Sequence, residues 1–188
     1  MEMKEQILTI AQRLVQQRGF NGFSYADIAK EVGIRKASLH HYFPTKTDLA
    51  VALIENFTAQ LERGLLHINS TFPQADARLK AYMGVYRATL EAECMCLAGM
   101  LSSDVLTLDP VAIPGLKRFF ARNVEWLTEV LAAGNSQRLL VLTGTATDHA
   151  RALLAALQGA LLIARATGDR EAFDQTAALL ISNLSRKG

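Results

Sequence analysis

Apolar positions recur every three to four residues along nearly the whole chain, and no stretch alternates apolar with polar for long enough to make a strand. Ile7, Ala11, Leu14 and Val15 form the first such stripe, predicting a helix from about Lys4 to Arg18 that Gly19 stops. Ser24 followed by Asp27 is a carboxylate version of the capping box, so a second helix begins at Tyr25, buries Ile28, Ala29 and Val32, and ends at Gly33. A third, from about Lys36 to Tyr42, turns Leu39 inward together with Phe43, four residues on. Pro44, Thr45 and Asp48 stop that helix and cap the next, which runs from Lys46 to about Ile68 with Leu49, Leu53, Phe57 and Leu61 on one face. Beyond a break at Asn69 to Pro73, helices are expected at about 75–92, 97–106, 114–133, 146–167 and 170–186. The breaks between them fall at Pro110 and Pro114, at Gly134-Asn135-Ser136 and at Gly168. No internal repeat occurs, and the predicted class is all-α.

The second and third helices, joined by a tight glycine turn, make a helix-turn-helix candidate. With Leu39 and Phe43 facing inward, Lys36, Ala37, Ser38, His40, His41 and Tyr42 are left pointing elsewhere. That set suits a DNA groove. Lys36 can pair with guanine or phosphate, Ser38 is an adaptable donor, and the three rings offer hydrogen bonds from flat surfaces. Helix-glycine-helix corners also occur in all-α proteins that never meet DNA, so spacing alone leaves a helical interaction module as the alternative.

The wording of the segment adds to its spacing. G-I-R-K-A-S-L-H-H-Y-F-P-T-K-T-D-L, with S-Y-A-D-I-A before it and R-G-F-N-G-F at the entry, resembles the amino-terminal domain of the tetracycline-repressor (TetR) family of transcriptional regulators over about Ile7 to Leu53. The resemblance implies a helix-turn-helix DNA-binding domain at 1–48 and an all-helical ligand-binding and dimerisation domain at 49–188. It also implies repression relieved by a small-molecule inducer. Lys36, Ala37, Ser38, His40, His41 and Tyr42 would form the DNA face, and Lys46 would grip a phosphate; Tyr25 and Arg35 complete the candidate DNA contacts. Arg35 stands where the family often has a Ser or Thr cap, and His40 where it often has Tyr.

Composition and charge agree with this picture. The chain of 188 residues carries 50% hydrophobic residues and four prolines, enough to bury a substantial core. Its net charge is +2, and all of that excess lies in residues 1–50, with seven Lys or Arg against five acids; the remainder balances. Met1 leads directly into a charged amphipathic helix without a signal peptide, so a cytoplasmic protein is expected. The most apolar window, Ala152 to Ala164, spans 13 residues, too short to cross a bilayer. Cys94 and Cys96 lack the second pair or nearby His that a zinc site needs, and no metal or other cofactor is implied.

Helix 146–167 is small and aliphatic nearly all round, from Ala152 to Ile163, and the last helix offers Phe173, Ala177, Leu180 and Leu184 to pack on it. Two such hairpins about a two-fold axis would make a homodimer whose paired recognition helices read palindromic half-sites about one DNA turn, ~34 Å, apart or a multiple of it. The middle helices supply candidate ligand-pocket residues with aromatic or adaptable side chains: Phe57, Leu61, Tyr82, Tyr86, Met100, Phe120 and Trp126. Ordinary core is the competing reading for each. Cys96 joins the ligand candidates because C-L-A-G-M-L-S-S-D is similar to a phrase in a TetR subgroup that includes regulators responding to electrophiles through a cysteine. An electrophile- or redox-responsive repressor is therefore the alternative mode of regulation. An enzyme is not expected, because no nucleophile and base lie at a recognisable motif spacing and no phosphate loop is present.

Overall fold

The computed structural model describes residues 2–185. Its helices are α1 (Met3–Arg18), α2 (Tyr25–Val32), α3 (Lys36–Tyr42), α4 (Lys46–Thr71), α5 (Ala75–Glu91), α6 (Leu97–Ser103), α7 (Ile113–Ser136), α8 (Ala146–Thr167) and α9 (Arg170–Leu184). Among the described residues the sole β pairing is an isolated antiparallel bridge between Leu140 and Ser185. Position 186, the expected end of the last helix, lies outside the described residues.

Three differences from the sequence expectation have physical causes. α7 continues through Gly134-Asn135-Ser136 where a break is expected. A Cβ on Gly134 would lie 2.4 Å from Leu140 Cδ1 and 2.9 Å from Ala75 Cβ, so this glycine permits a close approach and does not end the helix. Pro114, also expected to break the chain, sits in the first turn of α7, where the missing N–H has no partner to lose. α6 stops at Ser103, and the chain goes on through tighter turns in which Val105 N–H reaches Ser102 O and Thr107 N–H reaches Asp104 O.

The chain packs as two compact units, Met1–Gln60 with Cys94–Phe119, and Leu61–Glu93 with Phe120–Gly188. Leu49, Leu53, Leu97 and Leu101 lie fully buried in the first unit. There α1 packs on α2 and α6, with Ile7, Ala11, Leu14, Val15, Ile28 and Leu39 inaccessible. Each Ile, Leu or Val among them contributes about 1.5–3 kcal/mol relative to exposure. Val32, expected in this core, is only half-buried.

In the second unit α5, α8 and α9 pack on one another. α8 extends well beyond the 13-residue window and, with 22 residues, is long and apolar enough to cross a membrane by length and composition. Its Ala150, Leu153, Leu154, Leu157, Leu161 and Ala164 are instead buried within the protein.

Candidate nucleic-acid interface and sensor residues

α2 starts on the predicted capping box: Asp27 Oδ2 accepts from the Ser24 backbone N–H at 2.7 Å and from its hydroxyl at 2.6 Å. These hydrogen bonds from Ser24 hold the Asp27 carboxyl below its ordinary range. Gly33 ends the helix in the left-handed region, φ 79°, and both Gly33 N–H and Ile34 N–H reach back to Ala29 O at 3.0 Å. α3 begins after Arg35, whose side chain makes no cap hydrogen bond, so the departure from Ser or Thr leaves this helix start uncapped by side chain.

Leu39 is inaccessible and Phe43 is 2% exposed, and these two fix α3 by its inner face. Arg35, Lys36, Ala37, Ser38, His40, His41 and Tyr42 are all exposed. The seven form a continuous polar, basic and aromatic surface around one short helix. His40 is oriented by a 3.1 Å hydrogen bond from Nδ1 to Pro44 O, which places a proton on Nδ1. His41 and Tyr42 meet edge to face, centroids 5.7 Å apart.

Two candidate DNA contacts, one buried and one half-buried, are engaged by groups within the protein. Tyr25 is 6% exposed, and its hydroxyl donates to Phe43 O at 3.0 Å and to Thr45 O at 2.6 Å while its ring lies 4.8 Å from that of His40. Burial, aided by the nearby Asp48 carboxylate, pushes this phenol up to about 12. Tyr25 thus acts as a post behind α3, tying the start of α2 to the α3–α4 turn. The Lys46 ammonium donates to Phe23 O at 2.9 Å and lies 4.7 Å and 4.6 Å from the ring centres of Phe20 and Phe23. Burial lowers its pKa, partly offset by Asp104. A lysine so engaged anchors the start of α4 to the turn at Phe20–Phe23. The α4 cap itself is as expected: Asp48 Oδ2 accepts from Thr45 N–H and hydroxyl, and Asp48 N–H reaches Thr45 Oγ1 at 3.1 Å.

The candidate ligand residues divide between the two units. In the first, Phe57 stacks on Phe119 at 5.2 Å, Cys96 is buried as the residue capping α6, and Met100 is half-buried on α6. This α6 segment is clipped to the N-terminal helices by polar contacts. Gln16 exchanges two bonds of 2.9 Å with the Met95 backbone, Phe20 N–H donates to Asp104 Oδ2 at 2.9 Å, and Asn21 Nδ2 donates to Thr107 Oγ1 at 2.8 Å.

In the second unit Tyr82, Tyr86 and Trp126 lie together and are buried; Leu61 and Phe120 are half-buried. Asn123, only 1% exposed, accepts from the Tyr82 hydroxyl at 2.7 Å, Gln158 Nε2 lies 3.3 Å from the Tyr86 hydroxyl, and Trp126 Nε1 donates to Asn69 Oδ1 at 3.1 Å. The sequence reading missed Asn123. Its signal was available, since a lone amide follows Phe119 by four positions and precedes Trp126 by three, on the buried stripe of α7.

Comparison with known proteins agrees with this architecture. Residues 7–53 match the model of bacterial regulatory proteins of the tetR family. Over 98% of both chains, the protein is 33% identical to a TetR-family transcriptional regulator from Agrobacterium tumefaciens, with a TM-score of 0.94. A TetR transcriptional regulator from Legionella pneumophila is 29% identical over 98% of both chains, with a TM-score of 0.90. The HTH-type transcriptional repressor NemR of Escherichia coli is 26% identical, with 94% of this chain and 91% of that protein aligned.

Proposed function

The chain belongs to the TetR family of bacterial transcriptional regulators, and from that premise we propose that it is a homodimeric repressor released from a palindromic operator by a small molecule. The observation that carries the DNA reading is the division of α3. Leu39 and Phe43 are buried, while Arg35 through Ser38 and His40 through Tyr42 are exposed. Lys36, Ser38, His40, His41 and Tyr42 read base edges or phosphates, and Tyr25 and Lys46 set the pose of the helix from behind. Acting on DNA, the protein works in the bacterial cytoplasm.

The dimer forms through α8 and α9, whose Leu162, Ile163 and Leu179 are 58%, 61% and 59% exposed in the single chain. Regulation is a shift between two arrangements, one preferred by operator and the other by inducer, so that each ligand weakens the other. Tyr82, Tyr86, Trp126 and the Asn123 amide are the side chains suited to sense an inducer, being buried and hydrogen-bonded. The clip from α6 to α1 and Phe20, together with α4, carries the change toward α3.

A gel shift against DNA from upstream of the gene, at two salt concentrations, tests the main reading. Wild type binds and loses affinity steeply as salt rises. Lys36→Ala and His41→Ala each weaken binding by roughly 10–100-fold, equivalent to about 1–3 kcal/mol, and relax base preference. A helical interaction module would show no such salt-dependent band.

A second reading rests on Cys96, a buried residue at the N-cap position of α6, two positions after the similarly buried Cys94. Operator release by a quinone in wild type but not in Cys96→Ser supports electrophile sensing. Equal release in both removes it.

A further inference from the structure

Where α8 gives way to α9, the end of α5 closes a half-open cavity of about 520 Å³ lined by Leu90, Glu93, Ala164, Arg165, Gly168 and Arg170. That volume falls within the range of small-molecule sites. Leu90 and Ala164 lie at the cavity floor, themselves only 3% and 1% exposed, while the two guanidiniums come from the last turn of α8 and the first residue of α9. Glu93 is the unusual member. It follows the end of α5 in the left-handed backbone region, φ 56°, a position that glycine would hold without strain. Its carbonyl accepts from Arg165 Nη1, and its carboxylate lies 3.9 Å from Arg170 Nη2.

The chain thus keeps a strained residue at a helix end and uses its side chain to set a carboxylate before an arginine in a cavity. Backbone conformations of this kind cluster at ligand-binding sites, although Arg138, φ 59°, holds the same region outside the cavity. At 3.9 Å the pair is an electrostatic contact longer than a hydrogen bond, and Arg170 and Glu93 side chains are 48% and 78% exposed, so a competing acid displaces Glu93 at small cost. Planar guanidinium forks are the donors best matched to a carboxylate.

We propose that this cavity binds a small organic carboxylate, its acid group on Arg165 and Arg170 in place of the Glu93 side chain. Binding draws together the end of α5, the end of α8 and the start of α9. It rests on the regulator reading only for its consequence, that the acid acts as an effector; the binding itself is measured without DNA.

The test is calorimetric titration of the full-length protein with sodium hexanoate, with neutral hexanamide and with inorganic phosphate. Hexanoate is expected to bind once per chain and hexanamide not to bind. Arg170→Gln weakens hexanoate binding by roughly tenfold or more through loss of a charge-assisted pair, and Glu93→Gln strengthens it several-fold by removing the internal competitor. Neither residue is in the hydrophobic core, and unchanged circular dichroism accompanies both. The proposal is overturned if hexanoate and hexanamide behave alike, if phosphate binds as tightly as hexanoate, or if both variants bind hexanoate as wild type does. Operator binding by the unliganded protein is a separate readout, and its failure bears on the regulator reading alone.

Discussion

α3 and the α8–α9 pair both leave side chains in solvent, and the chemistry they leave there is opposite. On α3 the exposed set is Lys36, Ser38, His40, His41 and Tyr42, groups that keep hydrogen bonding to water until a polar partner replaces it. On α8 and α9 it includes Leu162, Ile163 and Leu179, for which water is the unfavourable environment. The first face tolerates solvent indefinitely and suits a partner that comes and goes. The second gains about 1.5–3 kcal/mol per large aliphatic side chain covered, and suits a partner that stays. A regulator whose two-fold body is permanent and whose DNA contact is switched needs one face of each kind.

The most severe way to break this contrast is to make the second face resemble the first. Leu162→Glu with Ile163→Glu is expected to give a monomer by sedimentation and to lower operator affinity on the order of 100-fold, because bivalent engagement is lost. A dimer with unchanged affinity would move the interface to another surface.

A smaller effect is expected behind α3. Tyr25→Phe removes both hydrogen bonds from the hydroxyl and leaves two carbonyls without that donor, costing about 1–3 kcal/mol in urea unfolding. The tyrosine also gives a pH signature. Its folded-state value of about 12 exceeds the ordinary 10.0, so its contribution is complete below pH 10 and is lost as pH rises through 12; Tyr25→Phe flattens that part of the stability profile.

The smallest effect sharpens the comparison most. Lys46→Met should cost about 0.5–2 kcal/mol of stability through its lost contacts with Phe20, Phe23 and the Phe23 carbonyl. The salt slope of operator binding should stay as in wild type. A slope reduced by about one would return Lys46 to the phosphate backbone.

The short-range chemistry of the chain settled much of this beforehand. Capping pairs Ser24–Asp27 and Thr45–Asp48 act between residues three apart, and Gly33 ends α2 through its own backbone freedom, so the starts of α2 and α4 and the end of α2 were legible as written. The outward face of α3 followed from Leu39 and Phe43 for the same reason. Tertiary structure decided what depends on neighbours distant in sequence. Nothing near Tyr25 or Lys46 along the chain announces that one hydroxyl reaches Thr45 O or that one ammonium settles over Phe20 and Phe23. Gly134 looked like a helix stop because the requirement it meets, room for Leu140 and Ala75, exists only after folding. The opposition of Glu93 to Arg170 and the burial of Asn123 against Tyr82 likewise arise from segments 77 and 41 positions apart, whose pairing is set by how helices pack and not by any local preference.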